Sequence, residues 1–493
     1  MTAGALLQIR NGNTPRMAFL VNNPQISHFK SIYKRYTNFS KEYITLLPNS
    51  SGNVDDDQDV ELNFQIPRNA DLINDIYFSF ELPDIYSRNG LDFQWIRRLG
   101  EYMVKDVSLQ IGSNTLLDKQ YSEWFHIYNE LNLTKDQKEG YNRMIGNVVD
   151  MYDPEGVSGH SDYPGTNDST SLTYPSIVGR RLLLPLQFWF NKHSSKSFPL
   201  VALQYDIMAI KLTLRPLKEL YTIYNTSTNY RERPSTAAHK IGKFLKTSNN
   251  ETTLNINPRL EANYIYLDND ERKSFALASH SYLATQVQRI VVEGTTTDFD
   301  INLANINKPI TQLYFIIRRT DFENVNLWSN FINWYDTDKP IYASNHIATY
   351  RANPTITTSN IKHYQTRQLV KSAELLIDNN PITTGNTKDF TGVNEQIEGK
   401  DYAFYNLLQN YRGSKSIPDE GIYTYSFNLD DHNNIQPNGC CNFSNLNNKR
   451  LRLFLNEVNT GDGFSYSYNI HVYAVNYEII KLMGGLVNTT FSN

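Results

Sequence analysis

The 493-residue chain has only two cysteines, and they are neighbours, Cys440 and Cys441. Adjacent thiols cannot staple a fold of this size, which excludes a disulfide-built scaffold and makes a reducing compartment the natural home. Long apolar runs are missing as well. Nothing approaches the ~18 residues that a membrane-spanning helix needs. Residues 1–12 hold only the short run Ala5-Leu6-Leu7, so no signal peptide is visible. An excess of either charge is also absent: 47 basic and 51 acidic residues leave a net charge of −4. That balance offers no broad electrostatic footprint for nucleic acid, and no direct nucleic-acid binding is expected. The usual catalytic signatures are missing too. There is no phosphate-binding Gly-Lys-Ser/Thr loop, no dinucleotide glycine fingerprint and no nucleophile elbow, and none of the ten His forms a zinc-protease pair.

What the chain does have is aromatic residues, asparagine and two-residue periodicity. It holds 33 Tyr, 24 Phe and 56 Asn, and its apolar residues alternate with polar ones between turn formers, the pattern of an all-β protein. In the stretch from Tyr423 to Leu455, Tyr423, Tyr425, Phe427 and Leu429 point one way and Thr424, Ser426 and Asn428 the other. The polar break from Asp430 to Gly439 leads back through Cys440-Cys441-Asn442-Phe443-Ser444 to the alternation of Leu451, Leu453 and Leu455. This predicts an antiparallel strand pair with one buried face. The length suggests two domains.

In chain order, Gly4, Gly12, Pro15 and Pro24 interrupt any regular element, so residues 1–24 read as an extended arm. The basic and aromatic run from Phe29 to Phe39 is best read as arm packing rather than a nucleic-acid or membrane contact. Strands are expected at 43–47, 60–66, 73–82 and 104–111, the last ending in the turn Gly112-Ser113-Asn114. A helix follows over 122–133, with Trp124, Ile127, Tyr128 and Leu131 at helical spacing and Ser122 as N-cap. A second helix begins at Thr134, with Gln137 completing a capping box. Residues 147–177 read as loop, and 181–190 with 205–215 as a strand pair. The polar stretch 224–257 reads as the connection between halves. Further strands are expected at 286–292, 310–318, 369–377 and 468–480. Phe404, Leu407, Leu408 and Tyr411 lie at helical spacing behind Asp401 as N-cap. Each half therefore holds a strand with a tight turn, an aromatic helix, and a closing pair of strands around a polar, Pro-containing break.

Few residues are candidates for chemistry. Asp55-Asp56-Asp57 with Asp59 could hold a divalent cation, but successive side chains of an extended segment diverge. Asp430-Asp431-His432 has no spaced second ligand and reads as a loop tip. His126 reads as a packed helix residue. Cys440-Cys441 read as small buried residues, since a bridge between neighbours strains the backbone. The eight Asn-x-Ser/Thr triplets match the number of about 8 that chance alone gives, so they carry no signal. No catalytic, cofactor-binding or metal residues are assigned.

Tyr425-Ser426-Phe427 followed by Gln436-Pro437-Asn438-Gly439-Cys440-Cys441-Asn442-Phe443-Ser444 resembles a signature of the double jelly-roll major capsid proteins of nucleocytoplasmic large DNA viruses. The opening segment, 184–190 with 200–205, 262–288 and the closing Met483-Gly484-Gly485 are similar to that family in the expected order. The resemblance implies two tandem eight-stranded jelly rolls, with an arm at 1–24, a first roll at 25–222, a connection at 223–257, a second roll at 258–485 and a tail at 486–493. It implies a non-enzymatic subunit without cofactors. Its homotrimers would form nearly hexagonal tiles of an icosahedral virion shell assembled in the host cytoplasm. Expected partners are other copies and neighbouring tiles, minor capsid and penton proteins, and an inner membrane at most indirectly through the arm. The long loops 146–179, 295–307 and 328–364 are expected to carry the exterior and the trimer contacts. The alternatives are a carbohydrate-binding or glycoside-hydrolysing jelly roll, whose paired carboxylates no sequence spacing would reveal, and a minor or vertex capsid protein.

Overall fold

A computed structural model describes the chain apart from residues 1, 13–14, 89, 113–114, 155–173, 228–229, 248–249, 324, 334–367, 385–386, 389–395, 417, 419–420, 430–435, 457–466 and 492–493. The turn residues Ser113-Asn114, the tip Asp430-Asp431-His432 and most of the two loops 146–179 and 328–364 lie outside the described residues. The chain divides into Met1–Phe39 and Ser40–Asn493.

The first unit corrects the expectation of an extended arm over 1–24. It forms two helices, α1 (Ala3–Gly12) and α2 (Pro15–Val21). Ala3, Ala5, Leu6, Leu7, Gln8 and Arg10 are good helix formers. The proline that seemed to break the pattern opens α2, where a helix needs no N–H from it. Residues 22–38 then run without regular structure, and Phe29, Ile32, Tyr33 and Tyr36 are exposed.

The second unit contains sixteen principal strands. They are β1 (Phe39–Leu46), β2 (Val60–Ile66), β3 (Leu72–Glu81), β4 (Val104–Ile111), β5 (Thr115–Tyr121), β6 (Arg181–Pro185), β7 (Met208–Leu214) and β8 (Arg259–Leu267), then β9 (His280–Gly294), β10 (Asp298–Asn302), β11 (Pro309–Arg319), β12 (Val370–Ile377), β13 (Asn380–Pro381), β14 (Tyr423–Ser426), β15 (Lys449–Leu455) and β16 (Tyr468–Met483). The first eight build two sheets ordered β1-β8-β3-β6 and β2-β7-β4-β5. The second eight build β9-β16-β11-β14 and β10-β15-β12-β13. Adding eight to each label of the first pair gives the second pair, so the two halves share one topology. Each is an eight-stranded, two-sheet jelly roll.

Alternation along the strands fills both cores. In β15, Leu451, Leu453 and Leu455 point inward between half-buried Arg450, Arg452 and Phe454. They meet Phe315, Ile317, Tyr423, Ile470 and Val472 in the core of the second roll. The corresponding core of the first roll gathers Phe64, Ile76, Phe78, Val107, Leu184 and Ile210.

Strand positions were legible in the sequence, but strand partners were not. The expected pair of Tyr423–Leu429 with Lys449–Leu455 does not form: β14 pairs β11, whereas β15 pairs β10 and β12. Likewise β6 pairs β3, while β7 pairs β2 and β4. In a Greek-key arrangement consecutive strands cross the core to opposite sheets, and alternation reports only which face is buried.

The boundary between halves also moves. Residues 223–257 do not connect separate domains. Tyr221–Asn225 pairs with Leu91–Trp95, Thr253–Asn255 pairs with Asn53–Asp55, and β8 pairs with β3, all within the first roll. The link is instead the helix α6 of Asn269–Leu277, between β8 and β9. Segment 295–307, expected as a loop, contains β10. The polar tail is a strand too: Leu486–Thr489 pairs with β16, and Val487 joins the first core.

The helices lie between strands. α3 (Leu99–Met103), α4 (Ser122–Asn132) and α5 (Lys135–Ile145) belong to the first roll. Thr134 caps α5 through the expected capping box with Gln137, and Gly146 closes it at φ 76°, a left-handed conformation that suits glycine. The cap of α4 is Tyr121 rather than Ser122, whose hydroxyl instead accepts from Arg215 at 3.1 Å. In the second roll a π-helical turn, Ala403–Leu408, runs into α7 (Gln409–Gly413), and Asp401 Oδ1 accepts from Phe404 N at 3.1 Å.

Candidate functional site: the junction between the two rolls

The aromatic helix of the first roll is where the halves meet. A strand that buries one face in its own sandwich leaves the other face free. In the second roll that free face presents Tyr314 and Ile316 from β11 with Tyr473 and Val475 from β16. Trp124, Ile127 and Leu131 of α4 cover it, joined by Phe331 and Ile422. The Trp124 ring meets Tyr314 at 5.6 Å edge to face and Tyr473 at 6.1 Å. Such pairs add about 0.5–1.5 kcal/mol each beyond area burial.

Buried charge lies beside this apolar contact. The Glu123 carboxylate of α4 sits 3.6 Å from Arg215 of its own roll and 3.5 Å from Arg318 of the other. Successive residues of a strand point to opposite faces. Arg318 therefore reaches the junction while its neighbour Arg319 turns away to pair with Asp321 at 2.6 Å. Arg318 also bonds Glu323 at 2.9 Å and donates to Trp328 O at 3.0 Å. The Trp328 ring takes both guanidiniums, Arg215 at 4.5 Å and Arg318 at 5.1 Å from its centroid, and its Nε1 donates to Glu219 O at 2.9 Å. Asn326 donates to the carbonyls of Lys218 and Tyr221, both at 2.8 Å.

Burial alone would raise the Glu123 carboxyl, but the His471 ring and the Arg318 and Arg215 guanidiniums hold it well below the usual carboxylate range. His471 stacks on Tyr473, with rings 8° from parallel, and among the described residues neither ring nitrogen has a hydrogen-bond partner. Burial pushes its pKa down to about 4 against the pull of Glu123, with Arg318 and Arg289 adding to the depression. At neutral pH His471 is uncharged.

A second network holds α3, α4 and α5 together behind the junction. Arg98, in a left-handed conformation at φ 56°, pairs with Glu101 at 3.2 Å and with Glu130. Lys138 reaches Glu130 at 2.5 Å, and Tyr141 donates to Glu101 at 2.6 Å. His126, expected as a packed helix residue, is buried with Nδ1 3.1 Å from the Tyr102 hydroxyl and its ring 5.0 Å from Phe331.

The other candidates disperse. Asp55 Oδ1 accepts from the backbone of Asp57 and Gln58, Asp57 pairs with Lys218, and Asp59 pairs with Lys105. Among the described residues no three His, Cys, Asp or Glu converge in a metal-binding group. Cys440 is exposed and Cys441 half-buried, both as free thiols, so the expectation of burial is corrected. Asn438 and Gly439 precede them in an irregular segment that leaves this turn at the surface.

Sequence reasoning missed Glu123, Arg215, Arg318, His471 and Trp328. One signal was available: Arg318-Arg319 closes the apolar run from Leu313 to Ile317, where unpaired charge would be costly. Trp328, expected in an exterior loop, is a junction residue because its ring fills the space between two guanidiniums.

Two family profiles match the chain, one after the other. One, described as major capsid protein N-terminus, matches residues 27–268, and the other, large eukaryotic DNA virus major capsid protein, matches 271–488. The chain belongs to the major capsid proteins of large eukaryotic DNA viruses. The profiles meet at α6, where the structure separates the rolls. The major capsid protein of Phaeocystis pouchetii virus is 27% identical to this capsid chain over the full length of both. Among solved structures, VP54 of PBCV-1 superposes with a TM-score of 0.67 at 24% identity, covering 95% of this chain and 100% of that one. The Faustovirus major capsid protein gives 0.64 at 12% identity, covering 98% of each. These likenesses establish the double jelly roll as the fold of this capsid chain.

Proposed function

We propose that this capsid protein works as a paving unit: three copies form a closed ring of six jelly rolls, and many such trimers tile an icosahedral shell. The observation that carries this reading is the repeated strand order of two rolls fixed to each other by a buried junction. Two equivalent sandwiches in one chain turn threefold symmetry into an approximately sixfold outline, and such an outline packs a surface. A lattice of this kind needs rigid tiles and many modest contacts, each made cooperative by its neighbours. The protein carries no catalytic role in this reading. Its partners are other copies, neighbouring tiles and minor capsid or penton proteins, with assembly in the host cytoplasm. The arm of residues 1–38 supplies the exposed aromatic and basic residues that would meet inner-face partners.

Size-exclusion chromatography with light scattering tests the first step, and electron microscopy of the purified protein tests the outline. A stable trimer with a six-lobed projection is the expected result. A monomer that binds glycans would overturn it in favour of a carbohydrate-binding jelly roll.

A further inference from the structure

The first 39 residues differ from the rest of the chain in charge. They contain no Asp or Glu, but five basic residues: Arg10, Arg16, Lys30, Lys34 and Arg35. Taking these five from the total of 47 leaves 42 basic residues against 51 acidic ones, so a cationic unit is joined to an acidic remainder. The same unit carries an excess of bare apolar surface. Of the 29 large apolar and aromatic side chains exposed among the described residues, 12 lie in Met1–Phe39, which is less than a twelfth of the sequence. Phe19 is 93% exposed and Phe29 99%. Exposed apolar residues scattered singly need no explanation, but this density does.

The two kinds of residue are divided along the unit. Exposed Leu6, Leu7, Ile9, Phe19 and Leu20 stand on α1 and α2, whose helical turns bond backbone groups within the segment. Such turns lower side chains toward hydrocarbon with fewer stranded N–H and C=O groups than an extended chain. The irregular stretch that follows holds Lys30, Lys34 and Arg35 among exposed Phe29, Tyr33 and Tyr36. Its unpaired backbone needs water, and tyrosine rings with basic side chains suit the headgroup level, where water remains. Among the described residues no helix is long and apolar enough to cross a bilayer, so a unit of this composition would lie on one.

We infer that the unit Met1–Phe39 binds the surface of an anionic lipid bilayer, with the apolar side chains of α1 and α2 in the outer acyl region and the Lys and Arg side chains among the headgroups. Apolar burial and attraction to anionic lipid add in such a contact, and either alone holds weakly. The absence of any carboxylate in the unit removes the repulsion that would oppose it. Nucleic acid would use the cations and the rings, but it offers no place for Leu6, Leu7 and Leu20. The inference deepens the paving reading by naming the chemistry of a partner for the arm, and its test needs neither trimer nor shell.

The test is flotation of the full chain with vesicles of phosphatidylcholine, with and without phosphatidylserine. The expected result is flotation with the phosphatidylserine vesicles only, weakened by added salt. Phe19→Asp/Leu20→Asp and Lys30→Gln/Lys34→Gln/Arg35→Gln should each lower the bound fraction about ten-fold or more, with an unchanged melt. A wild type that does not float, equal flotation with both vesicles, or variants that float like wild type overturns the inference. So does arm-dependent retention of a DNA duplex by a chain that ignores vesicles, which would make the arm a nucleic-acid segment. Should either variant aggregate, an environment-sensitive dye on Ser31→Cys, in a Cys440→Ser/Cys441→Ser background, decides. Its emission should shift to the blue when phosphatidylserine vesicles are added, and an unshifted emission refutes the contact. None of these failures touches the trimer reading, which light scattering tests separately.

Discussion

Glu123 of the first roll and Arg318 of the second stand 3.5 Å apart with both side chains almost wholly buried. A buried pair of this kind gains little over an apolar substitute, but it cannot be half removed without stranding a charge. It therefore fixes how one roll sits on the other more than it stabilises either.

Replacing Glu123 with Gln leaves Arg318 with Glu323 and Arg215 with Glu219. The cost is expected below the roughly 3–5 kcal/mol of an uncompensated break, at about 2 kcal/mol. Scanning calorimetry should show the melt falling by a few degrees, and Glu123→Gln/Arg318→Met should cost less than the two single changes added together. Strict additivity would show that the pair is not coupled.

His471 gives the junction a pH dependence. Its folded pKa is depressed to about 4, below the ordinary value of 6.5. The unfolded chain therefore takes the proton first. Stability is greatest above pH 6.5, declines as the pH falls, and stops changing on this account below about 4. A gap of this size corresponds to about 3 kcal/mol in all, of which about 2 is lost by pH 5. His471→Phe should melt with a smaller drop between pH 7 and pH 5 than wild type. Equal drops would mean that His471 is not the titrating group.

The two free thiols should react differently. Cys440 is exposed, while Cys441 is half-buried, and burial together with the adjacent Cys440 raises its thiol pKa. Thiolate is the reacting form. Titration of the native protein with a maleimide at neutral pH should give one fast and one slow modification, and two equal rates would contradict the placement.

Deleting residues 1–38 removes nearly all of the unit Met1–Phe39 and leaves the unit that holds both jelly rolls. The melt and the trimer should survive, while assembly of shells, followed by electron microscopy, should fail. Loss of the trimer would place the arm in the ring contact instead.

The all-β class, most strand positions, the capping box at Thr134 and the aromatic helices of both halves were legible along the chain, because periodicity and capping are local properties. The arm helices were not, since Pro15 reads as a breaker until it is seen to occupy the first turn. The surface position of Cys440 was hidden for a related reason: a small apolar residue type says little about burial inside a polar turn.

Local alternation determined which side chains of each strand face inward and with them the all-β class, whereas the two tandem sandwiches were implied by the family resemblance of the sequence. Pairing was decided only in three dimensions, because the connections cross the core and a strand's hydrogen-bond neighbours can lie far away in the chain. The same is true of the junction. Glu123, Arg215, Trp328 and His471 come from four separate segments, and no spacing along one segment records that they meet. Only the packed rolls exclude water from that point, and the loss of water is what gives those charges their leverage over how the two halves are set.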